Sequence, residues 1–312
     1  MTWLPADGKV VSAAAERTIM DPTIGFILIT HQKPHQILRL VTRLNSTFDE
    51  PPIVCHHDFS KCALPLSSFP ENVSFVRPHL ETGWATFSVV EATVRALGQM
   101  YGSPSSPDWF VLLSGADYPI KPSAKVLRDL SAGSYDAHIH FESIKANVVE
   151  RDWQRLAFNR YCTRNFTYPS LTKRMRRTKR TVCLKHPLLT WPFLPFSKNL
   201  RCFAGGQWFA TNRRAADYII SFHSSNPGLA AHYSKLKFSE ESYFQTILAN
   251  AEGLRLNNSD WRYTDWSAGG PHPKTLLLED LPNLLASPAH FARKFDIDLD
   301  IRILDEVDSL IG

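Results

Sequence analysis

The chain has 312 residues, 44% of them hydrophobic and 21% charged, with a formal net charge of +5. This is ordinary globular composition with apolar residues enough for a sizeable core, and it excludes a disordered or low-complexity chain. No run approaches the roughly 18 apolar residues of a membrane-spanning helix or has the apolar centre of a signal peptide.

Five cysteines (Cys55, Cys62, Cys162, Cys183 and Cys202) are dispersed and lack CxxC spacing. That pattern reads as reduced thiols, with a bridge between two of the last three left open if the protein is secreted. The positive balance suits anionic partners. Much of it sits in the run KRMRRTKR at 173–180, which comes with no nucleic-acid-binding motif, so no nucleic-acid partner is expected. The bland reading of that run is a solvated face, the alternative a peripheral contact with acidic lipid.

Residues 1–22 read as an N-terminal extension. Residues 25–30 (GFILIT) are a short apolar run suited to a buried parallel strand, and 35–44 carry apolar residues at helical spacing. Strands at 52–55 and 73–76 complete a β-α-β opening, the usual start of a Rossmann-like nucleotide-binding half. A helix over 88–100 leads to a strong strand at 109–114 that breaks at Gly115-Ala116-Asp117. Ligands bind where the strands of open α/β sheets end, so Asp117 is either a ligand-facing acid or simply the residue that shapes the turn before Tyr118-Pro119.

Residues 145–200 lose periodicity and are rich in Arg, Pro and aromatics. They read as a variable excursion with limited regular structure. Strands follow at 201–204 and 207–211, helices at 213–221 and 240–250, a strand near 262–264, and helices near Leu281 and Ile303.

Five constellations bear on possible chemistry. In Ser239-Glu240-Glu241-Ser242-Tyr243-Phe244, the bland reading is a serine N-cap with acids in the first helical turn. The functional reading is a carboxylate held at the sheet's ligand edge to take a proton from a hydroxyl. Trp261 to Trp266 followed by Gly269-Gly270-Pro271-His272-Pro273 suits an aromatic floor beside a rigid turn, or a packed strand and turn. Phe291-Ala292-Arg293-Lys294-Phe295 sets cations between rings, either an amphipathic surface turn or a cation against a diphosphate. Asp296, Asp298 and Asp300 form a D-x-D-x-D string, read as a solvated loop or helix start and not as a metal site. Cys55-His56-His57-Asp58 lacks a second ligand group at zinc-like spacing; it reads as a strand end, with Asp58 reaching into the nucleotide pocket.

In collinear order from Gly25 onward, these segments resemble the core-2/I-branching enzyme family. That family includes β-1,6-N-acetylglucosaminyltransferases, peptide O-xylosyltransferases, and plant glucuronosyltransferases and brittle-culm-type proteins. Val54-Cys55-His56-His57-Asp58 is similar to the family's strand ending in His-x-Asp. Ser114-Gly115-Ala116-Asp117-Tyr118-Pro119 is similar to its Gly-x-Asp-Phe/Tyr-Pro segment, and Gly206-Gln207-Trp208-Phe209 to its Gly-Ser-Gln-Trp-Phe. Glu240-Glu241-Ser242-Tyr243-Phe244 resembles Asp-Glu-His-Tyr/Phe-Phe/Trp, with serine where histidine is usual. Tyr263-Thr264-Asp265-Trp266 with the Gly-Gly-Pro-His-Pro turn is very like the plant branch.

The resemblance implies one α/β, GT-A-like domain over 23–312: a Rossmann-like nucleotide-binding half (23–141), the excursion, and an acceptor and catalytic half (201–312) on a mixed central sheet flanked by helices. It also implies an inverting glycosyltransferase that moves N-acetylglucosamine, xylose or glucuronic acid from a UDP-sugar to a hydroxyl of a glycan, peptide or small molecule, with no metal and no other cofactor. Glu241 becomes the catalytic base, and Arg262 and Lys294 the diphosphate-binding cations. Thr30, Asp58, Trp84 and Asp117 fall on the nucleoside and donor side, and Trp208, Trp266 and Glu240 in the acceptor or sugar pocket. A rival reading is a module of this fold that binds a nucleotide or glycan without turnover. The location expected is cytoplasmic with peripheral membrane contact, or the Golgi lumen for an isolated catalytic domain.

Overall fold

The computed structural model describes residues 22–145, 152–171, 177–184, 187–190, 193–270 and 272–311. Its strands, in chain order, are β1 (Ile24–Thr30), β2 (Ile53–His57), β3 (Val73–Phe75), β4 (Trp109–Ser114), β5 (Asp117–Pro119), β6 (Ala137–Ile139), β7 (Glu142–Ser143), β8 (Arg164–Leu171), β9 (Arg177–Leu184), β10 (Phe203–Ala204), β11 (Phe209–Asn212), β12 (Leu256–Asn257), β13 (Arg262–Thr264) and β14 (Phe291–Arg293). Seven of them form one sheet in the order β12-β6-β11-β4-β1-β2-β3. The β4-β1-β2-β3 half is parallel. Strand β11 runs antiparallel to both β4 and β6, which makes the sheet mixed. The α/β class expected from the sequence, with a mixed central sheet flanked by helices, is the one the chain adopts.

Side chains alternate across the parallel strands, as strand geometry requires. Ile27, Val54, Phe110 and Leu112 enter one apolar cluster, under the helices Phe87–Tyr101, Arg213–Ser225 and Tyr243–Ala249. Phe26, Leu28, Ile53, Val111 and Leu113 enter the other, with the helices Pro34–Phe48 and Arg302–Ile311. Burial on both faces explains why these strands read as continuous apolar runs.

A second, three-stranded sheet (β13-β14-β5) forms beyond the end of β4. Its register sets Arg293 opposite Asp117 and next to Thr264. Residues 291–293 are therefore a buried strand, which corrects the surface-turn reading: the pairing partners lie about 30 and 175 residues away, and local pattern does not reveal them.

The excursion holds more regular structure than expected, namely the helix Asp152–Tyr161 and the antiparallel pair β8–β9. Within the basic run, 177–180 lie in β9 and 173–176 fall outside the described residues, as does the N-terminal extension up to residue 21. No helix among the described residues is long and apolar enough to cross a membrane.

Candidate active site

Beyond the C-terminal ends of β1 and β4 lies a cavity of about 1190 Å³. Thr30, Trp84, Trp208, Glu240, Glu241, Arg262, Trp266 and Lys294 all line it. Eight residues drawn from sequence positions 30 to 294 thus share one space.

The two acids reach it through a break in the chain. Phe238 adopts a left-handed backbone (φ 57°), residues Ser239–Glu241 make one turn of 3-10 helix, and the α-helix starts only at Tyr243. The Ser239 hydroxyl donates to the carbonyls of Tyr233 and Leu236. It does not cap a helix, so the capping reading is corrected: the turn is fixed from the preceding helix, and both acids point out of it.

The Glu241 carboxylate takes a hydrogen bond of 3.2 Å from Arg160 Nη1 and keeps 39% of its side chain exposed. Burial of the site raises its pKa, and the Arg160 charge pulls against that shift. Glu240 is more enclosed, at 8% exposure, and its Oε2 has no hydrogen-bond partner among the described residues. Burial, with the charge of Glu241 acting in the same direction, pushes its carboxyl up to about 7.

That shift makes a prediction about stability. A carboxyl with a pKa near 7 folded and 4.5 ordinarily binds more protons in the native state between those values. The stabilisation is present below about 4.5 and is lost as pH rises through 7, by roughly 3 kcal/mol for a shift of this size. Thermal unfolding of Glu240→Gln is expected to lose less stability than the parent between pH 4.5 and 8; parallel pH dependences would rule the account out.

Arg160 was missed in the sequence because it lies in the excursion. Its guanidinium stacks over the Phe238 ring at 4.1 Å, which aims it at Glu241. A signal was present: Trp153, Leu156, Ala157 and Tyr161 repeat at helical spacing. Trp153 and Leu156 are exposed on the same cavity wall.

The cationic end is built by β13 and β14. Arg262 is almost wholly buried, 3.2 Å from Asp117 Oδ1, and donates from Nη2 to the Leu112 carbonyl at 2.9 Å. Among the described residues its buried Nε and Nη1 have no hydrogen-bond partner. Burial lowers its pKa, against the charges of Asp117 and Asp260. The Trp208 ring lies 5.0 Å from the guanidinium carbon of Arg262 and 4.6 Å from that of Arg293, a cation-π contact on each.

Lys294 follows on the chain. Among the described residues its ammonium has no hydrogen bond or ion pair, and it faces the cavity. Gln36 fixes the neighbouring backbone, donating to the Gly115 and Phe295 carbonyls and accepting from Ile297 N–H.

Two expected residues do not line the cavity. Asp58 is fully buried, and both its oxygens are engaged by Ser60 and Thr82. Burial opposes its charge, but those bonds outweigh it and hold the carboxyl well below its ordinary range. Asp58 therefore braces the 58–82 segment that carries Lys61 and leads directly into Trp84, which corrects the expectation that it reaches the pocket. Asp117 is likewise enclosed, bonded by Ser114 and paired with Arg262. It orients a cation and does not meet a ligand. Trp84, expected on the nucleoside side, is 61% exposed and packs edge-on against Phe238 at 5.0 Å, beside the acids.

The D-x-D-x-D acids are paired locally: Asp296 and Asp298 with Lys33, and Asp300 with Arg302. Among the described residues no group of three or more His, Cys, Asp or Glu is placed to hold a metal ion.

The family model described as "Branch: Core-2/I-Branching enzyme" matches residues 26–284. The chain is 28% identical over 225 residues to beta-glucuronosyltransferase GlcAT14A of Arabidopsis thaliana, covering 71% of this chain and 46% of that protein. It is 23% identical over 322 residues to a beta-1,3-galactosyl-O-glycosyl-glycoprotein beta-1,6-N-acetylglucosaminyltransferase of Bos taurus, covering 91% and 69%. It is 20% identical over 266 residues to xylosyltransferase sqv-6 of Caenorhabditis elegans, covering 78% and 30%. The chain spans about half the length of the Arabidopsis relatives it matches. Among solved structures, the galactosyltransferase LgtC, in complex with donor and acceptor sugar analogues, superposes with a TM-score of 0.44 at 10% identity over 92% of this chain and 96% of that one, a likeness too distant to bear on function. With its model matched over most of the chain, the protein belongs to the Core-2/I-branching enzyme family.

Proposed function

We propose that the protein is an inverting glycosyltransferase that uses a UDP-sugar and needs no metal. The observation that carries this reading is the pairing, in one cavity, of a part-exposed carboxylate, Glu241, with a cation, Lys294, that has no partner among the described residues. Glu241 takes the proton of the acceptor hydroxyl. The acceptor oxygen attacks the anomeric carbon as the bond from that carbon to the diphosphate oxygen breaks. Negative charge gathers on the departing UDP, where Lys294 meets it, backed by the positive charge of Arg262 behind the cavity wall. A single displacement turns an α-linked donor into a β-glycoside. The donor's partner is a glycan, peptide or small-molecule hydroxyl. The exposed rings of Trp153 and Trp266 on the cavity wall supply apolar faces on which a sugar ring can stack.

The company the acids keep supports metal independence. At the end of β4 the acid is Asp117, whose carboxylate is committed to Ser114 and Arg262. Transfer is therefore expected to survive EDTA, and NMR coupling constants of the product should show the β-anomer. Activity lost to EDTA and restored by Mn²⁺, or an α-linked product, would overturn the reading. Retention of a UDP-sugar with neither transfer nor hydrolysis would favour the binding-module alternative.

A further inference from the structure

We propose that Asp260 is a specificity-determining residue for the transferred sugar: its carboxylate accepts hydroxyl hydrogen bonds from a neutral sugar and excludes a uronic acid. The inference rests on the reading above and adds to it the chemical class of the sugar.

Asp260 lines the cavity two residues before Arg262, and its Oδ1 accepts from the Arg262 backbone N–H at 3.1 Å. Its Oδ2 faces Gly206, where a β-carbon would stand 2.8 Å from that oxygen. Gly205 is packed closer still, since a β-carbon there would lie 2.0 Å from the His140 carbonyl oxygen. No side chain fits at 205, and none occupies the space in front of Asp260 at 206.

The two glycines also tie this notch to the acids. Gly205 N–H donates to the Glu241 carbonyl at 2.8 Å, and Gln245 donates to the Gly206 carbonyl. The wall thus runs from Glu241 through Gly205 and Gly206 to Asp260 and on to Arg262. In a displacement at the anomeric carbon, the sugar ring lies between the base and the diphosphate. Groups set between Glu241 and Arg262 therefore face that ring.

A second observation points to a ligand in the same place. Glu240 Oε2 is enclosed, lines the cavity and has no hydrogen-bond partner among the described residues. A pair of carboxyls with open acceptor capacity complements the O–H donors of a neutral sugar. A sugar carboxylate would meet the negative charges of Asp260 and Glu241, while two guanidinium groups on the cavity wall are already paired, Arg160 with Glu241 and Arg262 with Asp117. His140, also on the cavity wall, stands 4.0 Å from Glu142 and offsets the repulsion only when protonated. Like charge set against an unwanted ligand is a common route to specificity.

The test measures transfer by the intact chain with UDP-xylose, UDP-N-acetylglucosamine and UDP-glucuronic acid, and UDP binding by calorimetry. The parent is expected to favour a neutral donor. Asp260→Asn should lower kcat/KM for that donor ~10- to 100-fold, the loss expected for a hydrogen bond to a charged group. It should also narrow the discrimination against UDP-glucuronic acid and leave UDP affinity unchanged. Gly206→Ala, which fills the notch without altering the acid, should lose the same donor if Asp260→Asn does not fold. A parent that prefers UDP-glucuronic acid, or an active Asp260→Asn with the parent's donor ranking, overturns this assignment alone. No turnover of any donor by the parent overturns the underlying reading and this assignment with it.

Discussion

Replacing Glu241 with glutamine is expected to lower kcat by about 10²–10⁴-fold, the usual worth of a positioned general base, while UDP still binds. The amide keeps the shape and the hydrogen bond from Arg160 but cannot accept the acceptor's proton. The choice of Glu241 over Glu240 follows from their surroundings. Burial pushes the Glu240 carboxyl up to about 7, so much of it is protonated near neutral pH, whereas Glu241, also raised by burial, lies against a guanidinium that favours its charged form. That contact supplies a second readout. Removing Arg160 takes away a charge that stabilises the carboxylate, so the Glu241 pKa should rise further and the acid limb of the kcat/KM profile should move to higher pH. Both readouts come from one set of kinetics on Glu241→Gln and Arg160→Ala. Parent-like turnover in Glu241→Gln would shift the role of base to Glu240. Asp117, the other acid considered from the sequence, lies enclosed behind Arg262 and is no candidate.

The parts of this molecule that could be read from sequence are those whose signals are local and periodic. Strand β4 and the helix Phe87–Tyr101 fall where the apolar pattern puts them, because a strand buried on both faces and a helix with one apolar stripe each impose a period on the residues. Strands of two or three residues, such as β5, β7 and β14, carry no period at all. They exist because distant partners supply their hydrogen bonds, so Phe291-Ala292-Arg293 passed for a surface turn. The site divides the same way. Glu241, Arg262 and Lys294 stand in short motifs and reach the cavity. The roles of Asp58 and Asp117 turned on which way a carboxylate faces, and the backbone and hydroxyl donors of Ser60, Thr82 and Ser114 decide that. Asp260 had no motif to mark it; it matters only because Gly206, 54 residues earlier in the chain, leaves room in front of it.

Removing the Lys294 ammonium is the second large effect expected. The leaving diphosphate needs positive charge that is already in place when the bond breaks, and losing one such preorganised group costs about 10²–10³ in kcat. Lys294→Ala should show that loss together with weaker UDP binding, because the ammonium meets charge present in the ground state as well. Lys33 is the control. It lies on the same cavity, but its charge is answered by Asp296 and Asp298, so Lys33→Ala should leave transfer much nearer the parent. Arg262 is a poorer probe, because its removal would strand Asp117 as a buried, unpaired charge at a stability cost of about 3–5 kcal/mol. Any lost activity there would mix folding with chemistry. Lys294 is free of that ambiguity, and Lys294→Arg, which restores the charge with different reach, should recover part of the rate. If Lys294→Ala kept both kcat and UDP affinity, the diphosphate would have to sit against other cations on the cavity wall, such as Arg293 or Lys61, and the direction of attack on the anomeric carbon would have to be redrawn around them.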